Sequence, residues 1–523
     1  LASSLASSFL TMQTEPTAAP KPRHESEAQK RRGGSSQSTI PLKAIFRHVT
    51  VATIVVSIAA LVGRHYAQQQ QQHSSFPSNE EELNSSKCSL TCRLEIVESI
   101  PENLYFGDVS LPRSTYSAWR ELIDNAHNDL LIAAYKSSLQ GRHVLGNLSV
   151  QYSAEGDDIF DRLLSRGREK ELKISMIENY PPKDKGDNED GLILQQKGAV
   201  DRRYLTISMF LGAGKMHSKF LLADDSDFYL GSANLDWRSL NQKLELGAYV
   251  QNCPCLGRDL KRIYAAYWGL SHGGDITSIQ KHHALYNKEH PLTMIIQGAE
   301  SKGFLATSPP QLNQPGRTWD LDAIVDAINN ANEFLYIHVM DYFPFFIYRG
   351  KHPKPFSAID SAIRGAVMRG VDVKMLNAAL HYPRLGTASL RSLQSLHNCT
   401  PSATFESRIF KVPTPPSAKS VINRERRTHK KFLVTETTVI IGNSNWSGDY
   451  FDGGTTGAAL VMMQEGEQRP LVDDMRRIFF RDFNSQYAHP LNDYYRQCIL
   501  ERTGDFCEAD KDPKLFATPP KKH

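Results

Sequence analysis

The chain has 523 residues, 40% hydrophobic and 23% charged, which is the composition of an ordinary globular protein with room for two domains or one large double domain. Its net charge of +4 resides entirely in residues 1–48, so residues 49–523 sum to zero. This excludes a general positive field over the folded part, and any polyanion bound there must be gripped by a local basic site.

The first methionine is Met12, and the eleven residues before it carry no structural weight. Residues 1–43 are expected to form a disordered cytosolic tail, being rich in Pro, Ser, Gly, Gln and charge from residue 13 onward. Val49–Gly63 is free of charge. Extended to 44–66, with Arg47 and Tyr66 at the interfaces, it reaches about 34 Å as a helix, enough to span a bilayer. Basic residues concentrate before this signal-anchor, which predicts a type II topology with a lumenal body, and residues 67–87 read as a flexible stalk. A lumenal body also fits sequons at Asn84, Asn147 and Asn398, with a doubtful fourth at Asn445. In an oxidising lumen Cys88, Cys92, Cys253 and Cys255 suggest two neighbouring disulfides, while the pairing of Cys399, Cys498 and Cys507 is left open.

From Cys92 onward helix-like and strand-like segments alternate: Trp119–Ala126 and Ile159–Arg166 as helices, Leu130–Ala134 and Leu172–Ile177 as buried strands. The pattern then recurs. Residues 123–132 are echoed at 328–337, 172–177 at 371–376, and 260–263 at 475–478. This indicates a duplicated α/β chain with halves at 88–290 and 291–510, a linker near 290–318 marked by Pro309, Pro310 and Pro315, and a tail at 511–523.

Each half carries one unusual motif. In the first, His217 and Lys219 are two apart and would project together from a strand; Asp224 opens a turn, and a second strand, Phe228–Gly231, delivers Ser232 and Asn234. In the second, His429, Lys431, Glu436 and Asn445 repeat the spacing at an offset of 212, reduced to 211 at Asn445. One His-x-Lys is commonplace on a strand. Two at matched places in a duplicated chain make chance a poor explanation.

These residues resemble the phospholipase D superfamily, whose two HxKx4D halves build one active site, and are most similar to its membrane-anchored lysosomal branch, phospholipases D three and four. The stretches that carry the resemblance are CSLTCRLEIVESIPENL, HSKFLLADDSDFYLGSANLDWRSL, KLELG, CPCLGRDL, SPPQLNQPGRTWDL and HKKFLVTETTVIIGNSNWSGDYF. The resemblance implies a duplicated phospholipase D fold and a lysosomal 5′-exonuclease acting on single-stranded DNA and RNA. Phospholipid hydrolysis or transphosphatidylation is the main alternative, and an inactive tethered interaction protein the third. Expected partners are a single-stranded nucleic acid or phospholipid substrate and the membrane, with a homodimer left open.

Attack on a phosphodiester needs a nucleophile, an acid for the leaving oxygen and positive charge on the non-bridging oxygens. One histidine would form a phosphohistidine and the other protonate the leaving oxygen, while Lys219, Lys431, Asn234 and Asn445 hold the phosphate. No metal and no cofactor is expected. Glu245 occupies the place where a carboxylate often orients a histidine in the superfamily, and its counterpart in the second half is Thr456. His217 is therefore expected as the nucleophile, oriented by Glu245, and His429 as the acid. Asp224 and Glu436 read as structural. Trp237 and Trp446 would stack a base, although such aromatics are more often core, and Arg424, Arg426, Arg427 and Lys430 form a basic patch beside His429. Asn445, proposed as a catalytic amide, is expected to be unglycosylated.

Overall fold

The computed structural model describes residues 90–504 and Cys507, apart from 170, 351, 379–381 and 423–424. The expected tail, anchor, stalk, C-terminal tail, Asn84, Cys88 and Arg424 lie outside the described residues. Among the described residues no helix is long and apolar enough to cross a membrane. Everything below belongs to the unit comprising residues 76–523.

The first half is a sheet built from β1 (Arg93–Ser99), β2 (Asp129–Ala134), β3 (Lys173–Asn179), β4 (Asp201–Leu205), β5 (Phe220–Ala223), β6 (Asp227–Gly231) and β7 (Lys243–Gln251). The second uses β8 (Ala299–Ser308), β9 (Phe334–Val339), β10 (Asp372–Asn377) and β11 (Thr404–Phe410), then, after a short β12 (Arg427–Thr428), β13 (Lys431–Thr435), β14 (Thr438–Gly442) and β15 (Gly457–Met463). The spatial order is β1-β7-β6-β5-β2-β3-β4 in one sheet and β8-β15-β14-β13-β9-β10-β11 in the other. Order and strand directions match throughout, so the halves are two copies of one topology.

Local sequence explains the elements. Strand β2 reads DLLIAA and is buried from Leu130 on, because it lies inside the sheet between a parallel and an antiparallel neighbour. Helix α1 (Thr115–Asp124) starts where the Ser114 side chain accepts a hydrogen bond from the Ser117 N–H, four residues before the expected Trp119. Helix α2 (Ala154–Arg166) likewise extends the expected span backwards. Helix α3 (Pro254–Ser271) and α6 (Pro470–Phe483) both begin with proline, whose missing N–H costs nothing in the first turn. These two helices share a central core with the facing sides of both sheets, including Phe220, Leu260, Phe432 and Phe479. Helices α1 and α2 cover the outer face of the first sheet, and α4 (Asp320–Asn330) and α5 (Ala358–Met368) that of the second.

One expectation needs correction. The stretch 290–318 is no linker: Leu292–Ile296 and β8 are antiparallel strands of the second sheet, and the prolines follow them. The cysteines Cys92 and Cys253 pair with each other: the β1–β7 ladder sets Arg93 opposite Gln251, and Cys92 lies one residue and Cys253 two residues beyond that pair. Cys255 is also disulfide-bonded. Cys498 pairs with Cys507, leaving Cys399 exposed and free.

Candidate active site

The two motifs sit at the ends of equivalent hairpins, β5–β6 and β13–β14. His217 and Lys219 lie in the extended segment before β5, not within the strand as expected. The ammonium of Lys219 donates to the His217 carbonyl at 2.5 Å, and that of Lys431 to the His429 carbonyl at 2.6 Å, so the motifs share one local geometry. Asp224 accepts from the N–H groups of His127, Asn128 and Asp129 at 2.7–3.0 Å. Burial works to raise its pKa, and these N–H groups outweigh that and hold it below the ordinary range. Glu436 accepts from Asn332 N–H at 2.7 Å and, at 3.5 Å, from Phe334 N–H. Each acid thus ties its hairpin to the start of β2 or β9, away from the chemistry.

The halves meet through β12, which leaves the second sheet to pair in parallel with β7, Lys243 against Arg427 and Leu244 against Thr428. His429 continues this ladder by donating its N–H to the Leu244 carbonyl at 2.8 Å. The next residue on β7 is Glu245, whose Oε2 lies 2.7 Å from His429 Nδ1. Glu245 therefore serves the histidine of the opposite half and not His217, contrary to expectation. Ser232 Oγ at 2.6 Å and Ser239 Oγ at 2.8 Å donate to the same carboxylate. The pseudo-equivalent Thr456 reaches across in turn, but to backbone: its Oγ1 accepts from His217 N–H at 2.9 Å and Ser218 N–H at 3.2 Å. Among the described residues His217 Nδ1 has no hydrogen-bond partner. Its ring is flanked by Tyr135 at 4.8 Å and Tyr450 at 5.0 Å between centroids.

The electrostatics follow from this burial. Both histidines are held well below the ordinary value, first by burial and then by the surrounding lysines. Burial pushes Lys431 down to about 7, although Glu245 and Asp341 oppose it, and pushes Lys219 well down, reinforced by Lys431. Burial raises the Glu245 carboxyl to about 7 against the pull of Lys431 and Lys243, so at acidic to neutral pH Glu245 and His429 hold a proton between them. Asn234 and Asn445 each keep a buried Oδ1 without a partner among the described residues, and the Asn445 side chain hydrogen-bonds Tyr450.

The remaining candidates separate. Trp237 is fully buried against Ala418 and Ile422, and Trp446 lies in the second-half core. Neither face is open to a base. Arg426 is spent on the backbone carbonyls of Pro413 and Glu102 and on Gln242, and Lys430 on Glu98 and Asp482. Among the described members of the basic patch, only the half-buried Arg427 keeps an unpartnered Nε. Asn147 and Asn398 are exposed, whereas Asn445 is 3% exposed. Sequence reading placed Ser232 beside the motif but missed its contact with Glu245, and it missed Tyr135 and Tyr450 at His217, Ser239 on Glu245, and Lys243. The last was legible as the residue two before Glu245 on the same strand face. Among the described residues no group of three or more His, Cys, Asp or Glu is placed to hold a metal ion.

Two duplicated sheets presenting paired His-x-Lys motifs to one buried site define the phospholipase D superfamily class. The chain belongs to the family described as PLD3/4, PLD-like domain, whose model matches residues 109–415. It is 36% identical over 428 residues to the 5'-3' exonuclease PLD3 of Xenopus laevis, covering 79% of this chain and 85% of that protein. It is 34% identical over 437 residues to the probable phospholipase D F09G2.8 of Caenorhabditis elegans, covering 79% and 74%. Among solved structures, the phosphatidylserine synthase of Haemophilus influenzae Rd KW20 shares the fold, with a TM-score of 0.51 at 11% identity, over 79% of this chain and 92% of that one.

Proposed function

We propose that this phospholipase D family chain is a phosphodiesterase that removes nucleotides from the 5′ end of single-stranded nucleic acid. The observation that carries the mechanism is the Glu245–His429 contact across the halves. A histidine that must deliver a proton benefits from a buried carboxylate at its other nitrogen, which fixes the tautomer and stabilises the imidazolium. One that must attack phosphorus has to be neutral, and His217 is kept so by burial and four lysines, with no carboxylate at Nδ1. His217 is thus the nucleophile and His429 the acid, on different grounds from those the sequence offered.

In the first step the free nitrogen of His217 attacks phosphorus and the bond to the 5′ oxygen of the second nucleotide breaks. His429 gives that oxygen its proton. Lys219, Lys431 and the amides of Asn234 and Asn445 carry the charge on the non-bridging oxygens. In the second step His429 takes a proton from water, the hydroxide attacks phosphorus, and the P–N bond breaks. This releases a 3′-phosphorylated nucleotide and restores both histidines.

The exonuclease direction is supported by the name of the Xenopus relative, and hydrolysis of phospholipid by that of the nematode relative. The type II topology with a lumenal body is supported by the basic residues before 44–66 and by the buried disulfides, while the lysosomal address rests on the resemblance to the lysosomal branch. The test is full-length chain in detergent, given single-stranded DNA with a free 5′-hydroxyl at acidic pH with EDTA. Stepwise shortening is expected. Absence of shortening, or equal cleavage of 5′-blocked strands, sinks the exonuclease reading, and choline release from phosphatidylcholine vesicles would replace it with the lipid one.

A further inference from the structure

A third lysine faces the site from β7. Lys243 precedes Glu245 by two residues and shares its strand face, from which Glu245 reaches His429. Its side chain is 6% exposed, yet its ammonium is not sealed off and makes, among the described residues, no hydrogen bond and no ion pair within 4.0 Å. The neighbouring carboxylates have nearer cations. Asp236 is held by Arg238 at 2.8 Å and Lys136 at 3.0 Å, Asp187 by Lys136 at 3.0 Å, and Glu425 by Arg238 at 3.7 Å. Burial pushes the Lys243 ammonium down to about 8, with Asp236 and Glu425 opposing and Lys136 and Arg238 assisting. Its charge acts on His429, Lys219, Lys431 and Glu245.

The second half has no such group. Two residues before Thr456 stands Gly454, at φ +88°, where the Ala213 carbonyl occupies the space of any Cβ. Beyond the motif lysines, Lys215 and Lys183 add positive charge at His217, and Lys243 adds it on the side of His429. That is the side past which the leaving oxygen, and the rest of the strand with its next phosphate, must depart. A buried ammonium without a partner is costly unless a substrate anion completes it.

We propose that Lys243 binds the phosphate one linkage 3′ of the scissile bond, so that the site selects a polyanionic strand over an isolated phosphodiester. This rests on the exonuclease reading above. The test compares a 5′-hydroxyl thymidylate trimer with the same trimer carrying an uncharged methylphosphonate at its second linkage, using full-length wild type, K243M and K243R. Wild type should prefer the charged trimer by about tenfold in kcat/KM, as for one charge-assisted contact. In K243M that ratio should fall to about one, in K243R it should return, and the slope of log kcat/KM against log salt should flatten by about 0.7 in K243M. Equal turnover of both trimers by wild type, or an undiminished ratio in K243M, overturns the Lys243 assignment alone. The wild-type comparison decides the matter if K243M does not fold. Wild type that cuts neither trimer overturns the exonuclease reading and this proposal with it.

Discussion

Replacing Glu245 with Gln keeps the shape of the side chain and removes its charge. The carboxylate accepts from Ser232 and Ser239 and lies 2.7 Å from His429 Nδ1, so the substitution leaves the serines a partner and chiefly deprives the His429 imidazolium of its counter-charge. A buried charge-assisted hydrogen bond is worth about 1.5–3 kcal/mol, which converts to about a ten- to hundredfold loss in a step that needs protonated His429. An oligonucleotide, whose leaving group is an alkoxide, should lose that much in kcat. A p-nitrophenyl ester of a nucleoside 3′-phosphate needs no acid, so its first step should be largely spared, and the burst of p-nitrophenol should be followed by slow turnover as phosphohistidine accumulates. The assay is rapid-quench kinetics on both substrates, with phosphoenzyme trapped in alkali. Equal losses on both substrates, or a larger loss of the burst than of oligonucleotide turnover, would mean that Glu245 supports the nucleophile instead.

Lys430→Met should destabilise the protein by about 3–5 kcal/mol, because Glu98 and Asp482, both fully buried, would be left sharing Arg481, with His338 Nδ1 at 3.5 Å from Asp482. Urea denaturation should also find this deficit smaller at pH 4.5 than at pH 7.5, since either carboxylate can then take up a proton; a pH-independent deficit contradicts the ion-network account. Burial pushes the Asp320 carboxyl up to about 7 despite hydrogen bonds from Ser308 and Ser444. The folded form therefore holds a proton there that the unfolded form releases near pH 4, so this group's contribution is fully present below that pH and lost as pH rises through 7. Asp320→Asn should gain on wild type by up to about 4 kcal/mol between pH 4 and pH 8, and thermal melts showing a constant difference would refute the shift.

Much of the fold was legible because duplication is a pattern along the chain. Matched echoes at 123–132 and 328–337, and at the two His-x-Lys motifs, required two like units, and the α/β alternation followed from buried runs such as DLLIAA. The structural reading of Asp224 was legible in its residue type and spacing, but the N–H groups it accepts from, in residues 127–129, lie 95–97 residues earlier. Contacts between elements distant in sequence were not legible. Arg426 and Lys430 look like a basic surface in sequence, but their partners Glu102, Gln242 and Glu98 lie far earlier in the chain. Trp237 and Trp446 follow the site asparagines closely, yet helix and sheet packing turns both into core.

The sequence by itself determined the family, the duplication and the identity of the four motif residues, because those depend on residue type and spacing. Only the tertiary structure decided which histidine has the carboxylate. In sequence Glu245 stands 28 residues after His217 and belongs to its half, but strand β12 crosses to pair with β7 and carries His429 to it. The hydrogen-bond register between strands 184 residues apart, which no local pattern encodes, makes the two halves one asymmetric site.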